Sequence, residues 1–254
     1  MPPSELGSLV PENKLLAALS AKCYGRLAPD LTAFDLPLGK ILYNPKQTIK
    51  YVYFPRWSAI SMVNIFADGA MVEVGVIGRE GVVGASLISG DDVSPHQAIV
   101  QIGDGGWRMP AGVFKREIES NGELKTIVSR YSQALFTQTA QTAACNRMHP
   151  IVKRLARWLL LMQDRMETDI LQLTHEFIAT MLGSRRAGVT IAAGTLQSHG
   201  IIHYRRGKVT ILDQKKLEEA SCECHRVIRD EYNRLLEQFL RTSRNRKLKP
   251  ESVD

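Results

Sequence analysis

Residues 173–202 read LTHEFIATMLGSRRAGVTIAAGTLQSHGII, and this stretch decides the fold of the C-terminal part of the chain. Thr174 is placed to cap a first helix whose inner stripe is Phe177, Ile178, Met181 and Leu182, with Ala179 small enough for a second helix to approach. Gly183 supplies the turn between them. Ser184 is expected to cap the second helix, whose inner face is Val189, Ala192, Ala193 and Leu196 before Gly200 stops it. Arg185 and Arg186 then fall in the first turn, the end that a recognition helix presents to base edges in a major groove.

Taken alone, the helix pair also fits a plain helical hairpin with two solvated arginines. The continuation narrows the choice. Ile201–Tyr204, the basic run Arg205, Arg206, Gly207, Lys208, and Val209–Leu212 predict a strand, a turn and a second strand: a winged hairpin able to lie along phosphates. Phe177 to Leu212 holds five Arg and Lys residues and no acidic one, a composition suited to a polyanion.

The charge of the whole chain agrees. Its 254 residues carry a formal charge of +7, and 44% of them are hydrophobic, enough for two cores. Residues 1–150 hold 14 basic and 13 acidic side chains, whereas residues 151–254 hold 19 and 13, so the polyanion-facing part is C-terminal. No apolar run approaches the roughly 20 residues that span a bilayer, and the first residues lack a signal-peptide pattern, so no membrane association is expected and the expected location is cytoplasmic. The cysteines Cys23, Cys145, Cys222 and Cys224 are too few for a disulfide framework and are expected as reduced thiols.

The N-terminal half reads differently. After a short helical lead over Leu15–Leu27, the stretch from Phe34 to Pro110 predicts brief strands, among them Tyr51–Phe54, Ala59–Val63, Met71–Val74 and Gln97–Val100, with Asp68-Gly69 as a hairpin turn. Eleven of the 19 glycines lie between Gly39 and Gly112, which predicts a small antiparallel barrel or jelly roll. From Leu124 the period changes: Leu124, Val128, Tyr131, Leu135, Gln138, Thr142 and Cys145 alternate in steps of four and three, a coiled-coil seam expected to pair with its own copy. The competing reading is a single helix packed on the barrel. His149-Pro150 ends that helix and opens the next through Ile151, Leu155, Trp158, Leu159 and Met162.

The fold class is therefore α+β. The expected division is a β-barrel effector-like domain over 1–122, a dimerisation helix and hinge over 123–149, a winged helix-turn-helix over 150–240 and a basic tail over 241–254, read as a disordered, solvated charge run. That order resembles the bacterial Crp/Fnr family of transcription regulators. Thr174, Ile178, Ala179, Gly183, Arg186, Val189, Leu196 and Ile202 fall on the family's pattern, Lys153–Leu159 is similar to its helix after the hinge, and Val82-Val83-Gly84 resembles its effector-pocket glycine. The resemblance implies a homodimer reading an inverted-repeat operator in double-stranded DNA, with RNA polymerase and an unknown small-molecule effector as further candidate partners.

By the same resemblance Arg186 is the base-reading arginine, joined by Arg185 and Thr190, and Thr174, Ser184, Arg205, Arg206 and Lys208 are expected on the DNA backbone. The family's best-known member has a glutamate and a further arginine where this chain has Ala187 and Ile191, so its operator should differ. The effector pocket departs more. Cyclic-nucleotide binders of this fold place a carboxylate just after the glycine and an arginine against the phosphate, whereas this chain has Gly84-Ala85-Ser86 and Ser94-Pro95-His96-Gln97-Ala98. Gly84, Ala85, His96, Gln97 and Thr139 are the candidate pocket residues, and ordinary cyclic AMP is not expected to fit unless Arg79 or Arg108 swings in.

No cofactor, metal or catalytic residue is expected. The first 144 residues offer only Cys23 for an iron–sulfur cluster, and His96 is the sole histidine of the strands, too little for haem or for a metal-dependent barrel enzyme. The spacing of Cys222, Cys224 and His225 is not a standard zinc pattern, and Cys222 and Cys224 would diverge by about 200° on a helix turning about 100° per residue, so the cysteines are read as buried thiols. The alternative function is a protein-interaction adaptor whose winged helix no longer reads DNA.

Overall fold

The computed structural model describes residues 11–120 and 122–247. Their elements are α1 (Lys14–Ala17), α2 (Ala21–Leu27), β1 (Thr32–Leu36), β2 (Ile41–Tyr43), β3 (Tyr51–Pro55), β4 (Ala59–Ile65), β5 (Met71–Ile77), β6 (Gln97–Ile102), β7 (Asp104–Pro110), α3 (Ala111–Ser120), α4 (Gly122–Met148), α5 (Ile151–Met166), β8 (Ile170–Gln172), α6 (His175–Met181), α7 (Arg186–Ser198), β9 (Ile202–Arg205), β10 (Lys208–Ile211), α8 (Gln214–Ala220) and α9 (Glu223–Lys247). No helix among them is long and apolar enough to cross a membrane.

Seven strands form two antiparallel sheets, ordered β1-β7-β3 and β2-β6-β4-β5, and their inner faces enclose the first core. The β4–β5 hairpin turns through Asp68 and Gly69, with Gly69 at φ +83. Gly105 and Gly106 let β7 run between β1 and β3, since a Cβ on Gly106 would lie 2.4 Å from the Phe54 carbonyl oxygen. A separate three-stranded sheet, β8-β10-β9, belongs to the C-terminal lobe; β8 adds a third strand to the expected wing.

The long helix departs from the expected seam. Leu124, Val128, Tyr131, Leu135, Gln138, Thr142 and Cys145 are all buried within the single chain, against the barrel and against α9, which lies along α4 and contributes Ile228, Tyr232, Leu235 and Leu236 to the same core. The two polar seam positions have intramolecular partners. Gln138 Nε2 donates to the Val76 carbonyl and its Oε1 accepts from Arg165, while Thr142 accepts from Arg157. A heptad stripe reports that one helix face is covered, and here the cover is the chain itself.

Two lobes share a continuous boundary. Val63 and Val76 of the barrel pack with Trp158, Leu159 and Met162 of α5 and with the core of the C-terminal lobe. At this boundary Arg165 forms a buried ion pair with Glu80 (2.9 Å), donates to Gln138 and lies over the Tyr232 ring at 4.4 Å. Glu167, at the end of α5, takes Lys14 at 2.6 Å and Arg79 at 2.8 Å. Of the basic tail expected over 241–254, residues 241–247 instead continue α9, because no Gly or Pro interrupts them before Pro250. Residues 248–254 lie outside the described residues.

Candidate nucleic-acid interface and effector pocket

The Thr174 hydroxyl caps α6 by accepting from Phe177 N at 3.2 Å, and Ile178, Ala179, Met181 and Leu182 are buried with Phe177 half-buried. Gly183 takes φ +55, and a Cβ there would meet Val72 Cγ2 at 2.9 Å, so both the turn and the close approach of the β5 strand require glycine. Helix α7 buries Val189, Ala192, Ala193 and Leu196. The cap differs from expectation: the position before α7 is held by Arg185, with no side-chain cap, because Ser184 N closes back onto the Ala179 carbonyl at 2.9 Å and leaves Ser184 one residue too early.

Opposite that buried face, Arg185, Arg186, Ala187, Thr190, Ile191 and Gly194 are exposed. The Arg186 side chain is 70% exposed and only 3.8 Å from the exposed Glu176 carboxylate, a pair worth about 0–1 kcal/mol that an incoming anion can displace. Thr190 Oγ1 donates to the Arg186 carbonyl and stands 3.1 Å from His175 Nδ1. His175, the first residue of α6, stacks on Tyr204 of β9 at 3.9 Å between centroids, which fastens the wing to α6. Burial, then the nearby Arg186 charge, pushes the His175 pKa below its ordinary value.

The wing turns tightly through Arg206 (φ +49) and Gly207 (φ +75), leaving Arg205, Arg206 and Lys208 exposed at its tip. Thr174 is exposed beside it: a Cβ built on Gly207 would meet Thr174 Cγ2 at 3.5 Å. Ser184 is half-buried at the turn. Ile191, 70% exposed on the same face as Arg186, had no assigned role in the sequence reading; an apolar side chain left in water on a face of small and basic residues is the signal for it.

In the barrel a cavity of about 370 Å³ opens between the strands and α4, and Gly84, Ala85, His96, Gln97 and Thr139 all line it, together with Tyr43, Met62, Phe136 and other apolar groups. Gly84 starts the turn of 3₁₀ helix at Ala85–Ser89 with φ +98, a left-handed conformation that favours glycine. His96 Nδ1 lies 2.8 Å from Asn64 Oδ1, and Gln97 Nε2 donates to Asn44 Oδ1 at 2.8 Å. Burial lowers the His96 pKa, so the imidazole is neutral near neutrality. Among the described residues the lining contains no Arg, Lys, Asp or Glu. Arg79 is engaged by Glu167 and stacked on Trp57, and Arg108 lies over Phe34 and Tyr51, so neither enters the cavity.

Cysteine placement also departs from expectation. Cys222 precedes α9 and is not on the helix with Cys224, so the two side chains are not held apart by helical geometry. They converge with Cys145 and His149 at the end of α4, whereas His225 turns away to Asp164 at 2.8 Å. A Cys-x₃-His at a helix end 77 residues before the Cys222-x-Cys224 pair carries no obvious sequence signal.

Residues 153–220 match the Crp-like helix-turn-helix domain. The chain is 23% identical over 225 residues to the global nitrogen regulator of Synechococcus elongatus, covering 83% of this chain and 98% of that protein. Its fold is similar to that of FixK2 from Bradyrhizobium japonicum (TM-score 0.66, 15% identity, 76% and 98% of the two chains). It is also similar to a CRP/FNR-family transcriptional regulator from Thermus thermophilus (TM-score 0.60, 18% identity, 75% and 97% covered).

Proposed function

We propose that this chain is a DNA-binding transcription regulator of the Crp/Fnr family, a reading supported by the match of residues 153–220 to the Crp-like helix-turn-helix domain, and that two copies read an inverted-repeat operator, one α7 entering each of two successive major grooves. The observation that carries this reading is the exposed, carboxylate-poor face on which Arg185, Arg186, Thr190 and Ile191 stand beside the basic wing tip. Arg186 supplies two parallel hydrogen bonds to guanine O6 and N7, and Ile191 gives apolar contact to a thymine methyl. Arg205, Arg206 and Lys208 track phosphates, with Thr174 and Ser184 at the flank. The start of α7, free of a side-chain cap, offers its first N–H groups to a phosphate oxygen.

Dimerisation is assigned to the outer face of α4, since the heptad seam is consumed inside the chain. Gln133, Phe136, Ala140, Ala144 and Met148 form a stripe there, with Phe136 67% and Met148 74% exposed, and the alanines let a second α4 approach closely. The occupant is a second copy related by a two-fold axis, the symmetry an inverted repeat requires. The barrel cavity takes an uncharged, largely apolar effector and not cyclic AMP: a buried phosphodiester without a cationic partner costs several kcal/mol, and the lining supplies none. The protein acts in the cytoplasm, where its DNA lies.

Salt dependence tests the reading. Three wing cations per chain give about six phosphate contacts per dimer and a slope of about −5 in log affinity against log salt. A slope near zero, with stable binding to another protein, would establish the adaptor function in its place.

A further inference from the structure

We propose that Cys145, His149, Cys222 and Cys224 form a closed, four-ligand zinc site that ties the end of α4 to the α8–α9 junction. The four ligand atoms lie within 4.8 Å of one another. The Cys145 and Cys222 sulfurs are 3.6 Å apart, and Cys224 Sγ is 3.6 Å from His149 Nδ1. A tetrahedral zinc with Zn–S of about 2.3 Å and Zn–N of about 2.05 Å needs edges of about 3.8 Å and about 3.6 Å, so the present spacing already approximates the coordination polyhedron. Helical geometry explains half of the set: His149 N bonds to the Cys145 carbonyl at 3.0 Å, so positions 145 and 149 project side by side from one turn. The other half comes from the bend at Ser221, which places Cys222 just before α9 and Cys224 in its first turn.

The surroundings are those of a metal centre. His149 Nε2 lies 3.5 Å from Glu223 Oε1, an arrangement that fixes the ring and leaves Nδ1 as the ligand nitrogen, and Gln141 Nε2 donates to the Cys224 sulfur at 3.2 Å. The three cysteines are buried and form a cluster of their own. With Zn²⁺ held by three thiolates and a neutral imidazole, the centre carries a net charge of −1. That charge has counterparts. Arg157 is 1% exposed, its Nε has no hydrogen-bond partner among the described residues, and both Arg157 and Arg154 act electrostatically on Cys145. Three thiolates and an imidazole select zinc over magnesium, calcium or manganese, and four protein ligands make the site structural.

The site sits at the hinge expected between the lobes, so its metal sets how firmly the reading head is held to α4. The inference concerns this junction and does not rest on DNA reading. Its test uses reduced full-length protein, stripped of metal and titrated anaerobically with Co²⁺ and then Zn²⁺. One equivalent per chain and a thiolate-to-cobalt charge-transfer band are expected. Cys222→Ser should abolish the band and Cys23→Ala should retain it. Glu223→Gln, on an exposed side chain that leaves folding intact, should lower zinc affinity about 10–100-fold. Less than one equivalent bound by the wild type, a band unchanged by Cys222→Ser or zinc affinity unchanged by Glu223→Gln would overturn the proposal. So would a Cys145–Cys222 disulfide whose reduction brings no metal uptake.

Discussion

Glu73 offers the sharpest quantitative prediction. It is 5% exposed on β5 at the boundary between the lobes, where Oε1 accepts from Trp158 Nε1 at 2.8 Å and Oε2 lies 2.6 Å from Ser61 Oγ. Ser61 Oγ is also 2.5 Å from Gln101 Oε1, while Gln101 Nε2 points to Met162 Sδ. A serine has one hydroxyl hydrogen and cannot donate to both oxygens. Both contacts are satisfied when Glu73 is protonated, donates to Ser61 and lets Ser61 donate to Gln101. Burial independently pushes the Glu73 pKa up to about 7 from 4.5, against the lowering influence of Ser61, Trp158 and Arg157.

A carboxyl raised on folding contributes stability that is fully present below its unfolded value and is lost as pH rises to its folded value. With about 1.4 kcal/mol for each tenfold change in proton affinity, the loss between 4.5 and about 7 amounts to about 3 kcal/mol. Glu73→Gln keeps an N–H donor for Ser61 and an oxygen for Trp158 but cannot ionise. Urea denaturation should therefore find the variant close to wild type at about pH 5 and more stable by up to about 3 kcal/mol at about pH 8. A difference between the two proteins that stays constant over that range would refute a proton shared across this boundary.

The remaining predictions concern the reading head, the junction and the two faces of α4. Arg186→Ala should cost about 1–3 kcal/mol on the preferred operator with little change on random duplex, measured by competition binding. Lys208→Ala should instead weaken all sequences and flatten the salt slope by about 1 per chain. Glu80→Ala strands the buried Arg165 guanidinium and should destabilise the fold by about 3–5 kcal/mol in denaturant titration; a loss under about 1 kcal/mol would show that Arg165 finds other compensation. Leu124→Ala should cost about 2–5 kcal/mol independently of protein concentration, because its face is covered within the chain. Phe136→Glu should leave the monomer folded and shift sedimentation from dimer to monomer; an unchanged dimer would remove the outer face of α4 as the interface.

The helix pair was legible because three independent rules coincide on it: a 3.6-residue apolar period in Val189, Ala192, Ala193 and Leu196, a capping Thr174 and a left-handed Gly183. The strands were legible from β-branched runs ended by glycines. The role of α4 was not. Spacing reveals that a face is buried but not what covers it, and Gln138 and Thr142 resemble defects in a seam until Val76, Arg165 and Arg157 are seen to be their partners. The α7 cap fell one residue away from its expected place because the turn closes on Ala179. The barrel cavity was partly legible: the five residues expected at it do come together, and the absence of charge among the described residues of its lining follows from side chains that the sequence already shows. The cysteine and histidine cluster depends on α9 folding back along α4, a tertiary event that no local pattern announces.

Selection from a random duplex pool tests the central assignment most directly, run in parallel with wild-type protein and Arg186→Ala. The wild type should enrich an inverted repeat whose half-sites are centred about 10 base pairs apart, with a guanine in each that Arg186→Ala no longer demands. Enrichment of no two-fold motif, or of the same motif with the same guanine by both proteins, would contradict it.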